Sequence, residues 1–382
     1  MNEGQSMKIL VVGQTPPPWG GQAVMIQQLL DHPPQGVMLE HVRMAFSEDM
    51  DIVGKIHWRK FLHLAELVAR ILVARMRQGF SVLYYPPAGP QRVPIYRDFV
   101  ILGLTRWMFR STAFHFHASG LSQMYDRLNV LERWLFRRAY FYPDLAIQIS
   151  VVNPPDGPFL KARKVVTVAN GLQDEYPRFQ AQTQRARSEV HVPRILFVGA
   201  LYETKGVRIL IEAARLLKTY GMDFSLECVG RFESSSFESE VHAALREQSL
   251  TSCVTFSGVL TGDEKWCAYA RSDLFCLPSF FESESFGLVN LEAMMFSLPV
   301  VSTKWRGIPT VVCDEENGLL VPIQDAPALA EKLARLLRDA ELRTRMGEAG
   351  RRIYMERYSL EAWRVGMAQA FELLPRDKRS EI

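Results

Sequence analysis

Short apolar runs, each closed by glycine or proline and followed by a stretch of helical spacing, recur along this chain. The first covers residues 8–12 and ends at Gly13, before a Gly/Pro-rich loop at 15–21 and a predicted helix over 22–30. Others lie at 81–85, before Pro86-Pro87, at 113–117, before Ala118-Ser119-Gly120, and at 145–150 and 165–168, the last leading to Asn170-Gly171. Apolar runs this short, bounded by turn formers, predict buried strands. Strands alternating with helices predict an α/β unit with a parallel sheet, because parallel neighbours need a long crossover between them.

Residues 180–192 are polar and show little apolar periodicity, which predicts a linker. A second series then begins, with strands expected at 194–199, 225–229, 254–257, 274–277 and 300–302, and a helical C-terminal region from residue 326. The expected division is an N-terminal domain over 1–187 and a C-terminal domain over 188–382, with the last helix able to pack back on the first domain. The length of 382 residues suits two such cores, and 48% hydrophobic with 23% charged residues is a globular composition.

A net charge of +3 is small for this length, and no nucleic-acid-binding motif is present, so nucleic acid is not an expected partner. The apolar run after Met7 is too short for a signal sequence, and no stretch reaches the roughly 18 uncharged apolar residues of a membrane span. A cytoplasmic location is expected. The five cysteines, Cys228, Cys253, Cys267, Cys276 and Cys313, show no C-x-x-C spacing and predict core packing rather than a metal or redox site.

The most informative stretch runs from Pro278-Ser279 through Glu284, Ser285, Phe286, Gly287 and Leu288 to Glu292-Ala293-Met294. It joins a short buried strand to a helix. Ser285, Phe286 and Gly287 stand at the helix start, where backbone N–H groups suit an anion such as a diphosphate. Glu284 and Glu292 could accept hydrogen bonds from sugar and ribose hydroxyls. On spacing alone, an ordinary helix whose acidic N-terminus offsets its own dipole explains both carboxylates.

Taken with Pro299-Val300-Val301, this stretch resembles the E-x7-E signature of retaining GT-B glycosyltransferases of the family-4 type, the glycosyl transferases group 1. The resemblance implies two Rossmann-like domains facing across a cleft, with a nucleoside-diphosphate sugar of the UDP or GDP type bound in the C-terminal domain. It implies donor-sugar contact at Glu284 and ribose contact at Glu292. Phe197-Val198-Gly199 to Thr204-Lys205-Gly206 is similar to the family's glycine-to-lysine stretch, which places Lys205 beside the diphosphate and Gly199 in the donor site. The family's arginine after the first glycine is Ala200 here, so Lys205 with a helix dipole suffices, or Arg208 or Arg231 substitutes.

The same resemblance gives Gly20 and Gly21 to a loop closing on the donor phosphates. It gives His117, with His115 as the alternative, to the donor sugar near the reacting carbon, and Asn170 to the turn ending the first domain. His115 and His117 share one face of a strand, and a satisfied structural histidine is the other reading of either. Gly307-Ile308-Pro309 and Asn317-Gly318-Leu319-Leu320 also fit, although Thr310 stands where a glutamate is common. The likeness is dense over residues 194–320 and thinner over 8–171. No Asp-x-Asp pair marks a diphosphate metal, so no cofactor and metal-independent chemistry are expected.

Two segments are basic and apolar at helical spacing. Residues 55–77 set Lys55, Arg59, Lys60, Arg70, Arg75 and Arg77 against Glu66, and 127–138 include Trp134, Leu135 and Phe136. Helices of this kind lie on anionic lipid, or pack on a core with a solvated basic face. The expected activity is hexose transfer to a hydroxyl of a saccharide or lipid-linked saccharide in polysaccharide or glycolipid synthesis. Its rivals are a sugar-nucleotide epimerase or hydrolase on the same fold and a non-catalytic binding subunit.

Overall fold

The structure, a computed structural model, describes residues 7–44, 58–188 and 191–375. Residues 55–57 of the basic segment lie outside them. The chain forms two compact units, Met1–Asn170 with Trp363–Ile382, and Gly171–Ala362.

In the first unit the elements follow as β1 (Met7–Gly13), α1 (Gly21–Asp31), β2 (Val37–Arg43), α2 (Trp58–Gln78), β3 (Val82–Tyr85) and α3 (Arg92–Thr105). Then come β4 (Ser111–Phe116), α4 (Leu121–Met124), α5 (Val130–Tyr140), β5 (Leu145–Gln148), α6 (Asp156–Phe159) and β6 (Lys164–Thr167). Six parallel strands form the sheet β2-β1-β3-β4-β5-β6. β3, β4 and β5 are buried along their whole length, which is why they read as continuous apolar runs. β2, absent from the expected strands, is an edge strand, and its Glu40, His41 and Arg43 break the apolar run that marks the others.

The second unit opens with α7 (Tyr176–Ser188), β7 (Arg194–Val198), α8 (Val207–Thr219), β8 (Ser225–Val229), α9 (Ser235–Glu247) and β9 (Val254–Gly258). It continues with α10 (Gly262–Ala270), β10 (Leu274–Leu277), α11 (Leu288–Met295), β11 (Val300–Thr303), α12 (Ile308–Val311) and β12 (Gly318–Val321). It ends with α13 (Ala326–Arg338), α14 (Ala340–Ile353) and the start of α15 (Leu360–Glu372), which joins the first unit from Trp363. Its sheet order is β12-β11-β10-β7-β8-β9, again parallel.

The expected linker at 180–192 is corrected over most of its length, because α7 is a helix as far as Ser188. Tyr176 packs edge-on and Phe179 tilted against Phe296, Arg178 bonds Asp263 of α10 at 2.8 Å, and Thr183 is buried. A few such positions in an otherwise polar sequence carry too weak a period to be read, and tertiary packing supplies the rest. The division of the chain consequently falls at Asn170/Gly171 rather than at 187/188.

Both sheets reverse direction beside their first strand. In the first unit the chain steps from β1 to β2, then returns past β1 to β3, β4 and β5. Crossovers of one hand therefore put α1 on one face and α2, α3 and α5 on the other. Tyr84 and Tyr85 point to opposite faces. Tyr84 packs edge-on against Phe371 of α15, and Tyr85 reaches Asp98 of α3.

Asp98 is fully buried and gathers four groups. The hydroxyls of Tyr85 and Tyr140 donate to it at 2.6 and 2.9 Å, the Ala88 amide at 2.8 Å and the Arg97 guanidinium at 2.8 Å. A carboxylate in a core is tolerable only when its oxygens are filled in this way. Asp98→Ala strands both phenols and the guanidinium, and should cost about 3–5 kcal/mol of stability. Urea denaturation measures it, and a loss below about 1 kcal/mol would show that the cluster does not hold the unit together.

Candidate functional site

In an open parallel sheet, ligands gather beyond the carboxyl ends of the strands where the strand order reverses. In the second unit that point lies between β7 and β10. The loop after β7 ends in a single 3-10 turn, Glu203–Lys205, and Gly206 turns the chain into α8 with φ of 84°. A Cβ on Gly206 would lie 2.2 Å from the Pro278 carbonyl oxygen. Only glycine lets the two loops approach this closely, and the Phe280 amide donates to the Thr204 carbonyl at 2.8 Å.

That approach brings Lys205 and Glu284 together. Lys205 Nζ lies 2.6 Å from Glu284 Oε2, and Ser279 Oγ donates to the same oxygen at 2.9 Å. The ammonium also sits 4.7 Å over the Phe281 ring. An ammonium has three donors, and the carboxylate takes one. Glu284 and Ser279 are buried. The loop is fixed from β11 and its sequel, where Thr303 Oγ1 donates to the Ser279 carbonyl and Trp305 Nε1 to the Phe281 carbonyl at 2.5 and 2.8 Å. Sequence reasoning did not single out Thr303 or Trp305, because hydrogen bonds to a distant backbone leave no local pattern.

Gly287, with φ of 72°, caps the start of α11, and Leu288 is its first residue. Ser285 precedes them and is buried, while the Phe286 ring is core, edge-on to Tyr358 at 5.6 Å. Glu292 has partners of its own. Lys265 Nζ meets its Oε1 at 2.7 Å, and the Tyr269 hydroxyl donates to its Oε2 at 2.8 Å. Burial and the Glu292 charge push the Tyr269 hydroxyl well above its ordinary range, so it stays a donor. Lys265 and Tyr269 lie on α10, more than twenty residues before Glu292, where a lysine near the start of a short helix carried no signal.

Gly199 follows β7, its amide donating to the Val229 carbonyl at 3.0 Å. Of the two suggested substitutes for an arginine at Ala200, Arg208 pairs with Glu240 and lies 3.8 Å from Glu203, while Arg231 is exposed just beyond β8. The Thr310 hydroxyl donates to the Gly307 carbonyl at 2.6 Å.

In the first unit the reversal lies between β1 and β3. Gly20 is the N-cap of α1, Gly21 its first residue, and a Cβ on Gly20 would meet nothing within 4 Å. Arg43 of β2 donates to the Pro17 carbonyl at 2.8 Å and so ties this loop to the sheet. Asn170 is buried at the end of the unit, its Oδ1 without a protein partner.

His115 and His117 stack with ring centroids 4.0 Å apart. His115 is 0% exposed and shares a 2.6 Å hydrogen bond with the Tyr84 hydroxyl; His117, just past the end of β4, is 8% exposed. Burial pushes His117 down to about 3, and His115 falls well below the usual range from burial and its neighbour. Both imidazoles are therefore neutral at physiological pH. Among the described residues, no group of three His, Cys, Asp or Glu side chains is placed to hold a metal ion, and the cysteines are unpaired. No described helix is long and apolar enough to cross a membrane.

Residues 179–353 match the family model for Glycosyl transferases group 1. The D-inositol 3-phosphate glycosyltransferase of Corynebacterium aurimucosum is 33% identical over 194 residues, 48% of this chain and 46% of that protein. The amylovoran biosynthesis glycosyltransferase AmsK of Erwinia amylovora is 35% identical over 180 residues, 46% of this chain and 42% of that protein. The chain thus matches about half the length of these curated relatives. Two solved structures share the fold over nearly all of the chain. The sucrose-phosphate synthase of Thermosynechococcus elongatus superimposes with a TM-score of 0.73 at 19% identity, covering 96% of this chain and 98% of that one. Alr3699/HepE of Anabaena in complex with UDP gives 0.72 at 18% identity, covering 96% and 100%.

The stacked histidines generate a pH dependence. Their folded values are depressed, so between about 6.5 and about 3 the unfolded chain binds more protons than the folded one. Stability then falls as pH drops through that window, by an amount of the order of a few kcal/mol. Urea denaturation across it should show a shallower slope for His117→Gln than for the wild type, and identical slopes would mean that the imidazole titrates normally in the fold.

Proposed function

We propose that this chain, whose residues 179–353 match the glycosyl transferases group 1 model and which has the GT-B fold, transfers a hexosyl group. The donor is a nucleoside-diphosphate sugar, and the acceptor is a hydroxyl of a saccharide or lipid-linked saccharide. The observation that carries this reading is the Lys205–Glu284–Ser279 cluster at the strand-order reversal between β7 and β10. A cation and a hydroxyl acceptor stand side by side there, as a sugar diphosphate needs.

In the proposed reaction the bond from the anomeric carbon to the diphosphate oxygen breaks, and a bond to the acceptor oxygen forms on the same face. The acceptor proton passes to the departing diphosphate, so configuration is retained and no protein nucleophile is required. Lys205 stabilises the charge that grows on the leaving group, aided by the first-turn amides around Ser285–Leu288. Glu284 takes hydroxyls of the sugar. Glu292, oriented by Lys265 and Tyr269, takes those of the ribose. His117 and the loop at Gly20-Gly21 serve the sugar and acceptor side. Protein cations and helix ends do the electrostatic work in place of a metal. UDP as the nucleotide is supported by the structural neighbour HepE, solved in complex with UDP and with UDP-glucose.

Lys205→Ala should lower kcat/KM by about 10²–10³ with circular dichroism unchanged, and Glu284→Gln should abolish transfer. Calorimetry with UDP and GDP, followed by turnover of the matching sugar nucleotides with and without acceptors, measures both. Wild-type rates in Lys205→Ala would overturn the site. Donor turnover without any acceptor would make the chain an epimerase or hydrolase, and nucleotide binding without turnover would make it a binding subunit.

A further inference from the structure

The crossovers that build the first unit place α2, α3 and α5 on one face of its sheet, with α3 packed between the other two. Their inward sides form the core through Ile71 of α2, Ile95, Phe99 and Leu102 of α3, and Phe136 and Tyr140 of α5. The outward sides of such helices should be polar. They are not.

On α2 the exposed side carries Leu62, Val73 and Met76. On α3 it carries Val93, Val100 and Leu104, spaced by seven and four residues along one helical stripe. The stripe runs on to Trp107, which is 70% exposed. Its indole N–H already donates to the Leu104 carbonyl at 2.8 Å, so the ring it presents outward is an apolar surface. On α5, Val130 is 86% and Trp134 62% exposed, with Leu131 beside them. α3 is thus apolar on both sides, and the three adjacent helices share one apolar face that is exposed among the described residues.

The exposed charge on these helices is mainly positive. Arg70, Arg77, Arg92, Arg137 and Arg138 are exposed on the same helices. Of the described acids in them, Asp98 and Glu132 are buried and engaged, which leaves Glu66 exposed. Long basic side chains around an apolar patch can extend to an anionic surface while aliphatic and indole groups enter the layer beneath.

We propose that the outer face of α2, α3 and α5 seats the protein on an anionic lipid surface. Trp107 and Trp134 insert at headgroup depth, where indoles partition best, and the arginines contact lipid phosphates. Each exposed arginine near the surface contributes about fivefold to the partition. The sugar-transfer site is not part of this face, so lipid binding stands or falls independently of that reading.

Flotation of the full chain with phosphatidylcholine vesicles, and with an equimolar mixture of phosphatidylcholine and phosphatidylglycerol, tests the proposal. The expected result is binding to the mixture alone, weakened by salt. Trp107→Ser combined with Trp134→Ser should reduce it at least about tenfold, and Arg70→Gln with Arg77→Gln should reduce it by more than tenfold by the same charge estimate. Turnover of a soluble donor should stay at the wild-type level in both variants. Failure of the wild type to bind the mixture, or undiminished binding by the double tryptophan variant, overturns the proposal. So does a dimer in sedimentation equilibrium that this variant dissolves while the wild type leaves vesicles untouched, because the face would then belong to a second copy of the chain.

Discussion

Every described strand pairing within the two sheets is parallel, and parallel strands can be joined only by crossovers of one hand. A chain that starts in the middle of a sheet must then reverse its direction of growth beside the first strand. Two consequences follow in this protein. The reversal leaves loops at the carboxyl ends of β7 and β10 that no crossover helix joins, so they can meet each other there. It also sorts helices by face, and in the first unit sends α2, α3 and α5 to the same side.

The first consequence brings together the candidate site from residues nearly eighty positions apart. Gly206 has no side chain, so its loop rests on the Pro278 carbonyl, and the loop contact sets Lys205 against Glu284. Taking a carboxylate out of water is costly unless its oxygens are filled. Glu284 is filled by Lys205 and Ser279, and Glu292 by Lys265 and Tyr269. Both acids are held in fixed directions by these partners, which would lower the cost of ordering them around the proposed donor. Asp98 obeys the same rule with no access to solvent, and there the result is cohesion alone.

The second consequence explains why one set of helices serves two surfaces. The residues of α3 that fill the core and those that face outward are both apolar, so the helix has no polar side to settle its orientation by amphipathicity. Its orientation is fixed instead by Asp98, which must reach Tyr85 and Tyr140, and by packing between α2 and α5.

The sequence alone determined the alternation of strand and helix, because strands buried on both faces must be apolar throughout. Glu284, Lys205 and the glycines beside them became legible as candidates only through the family resemblance of their stretches, because spacing alone favoured an ordinary helix start and a surface lysine. The sequence did not show β2, whose edge position admits polar residues, or α7, whose few packing contacts leave a polar sequence without visible period. The partners of Glu292 on α10, the hold of Thr303 and Trp305 on the Pro278 loop, and the alignment of three apolar helix faces were decided only by tertiary structure. Each depends on which distant segments the crossovers bring side by side, and a linear pattern records the composition of a segment but not its neighbour.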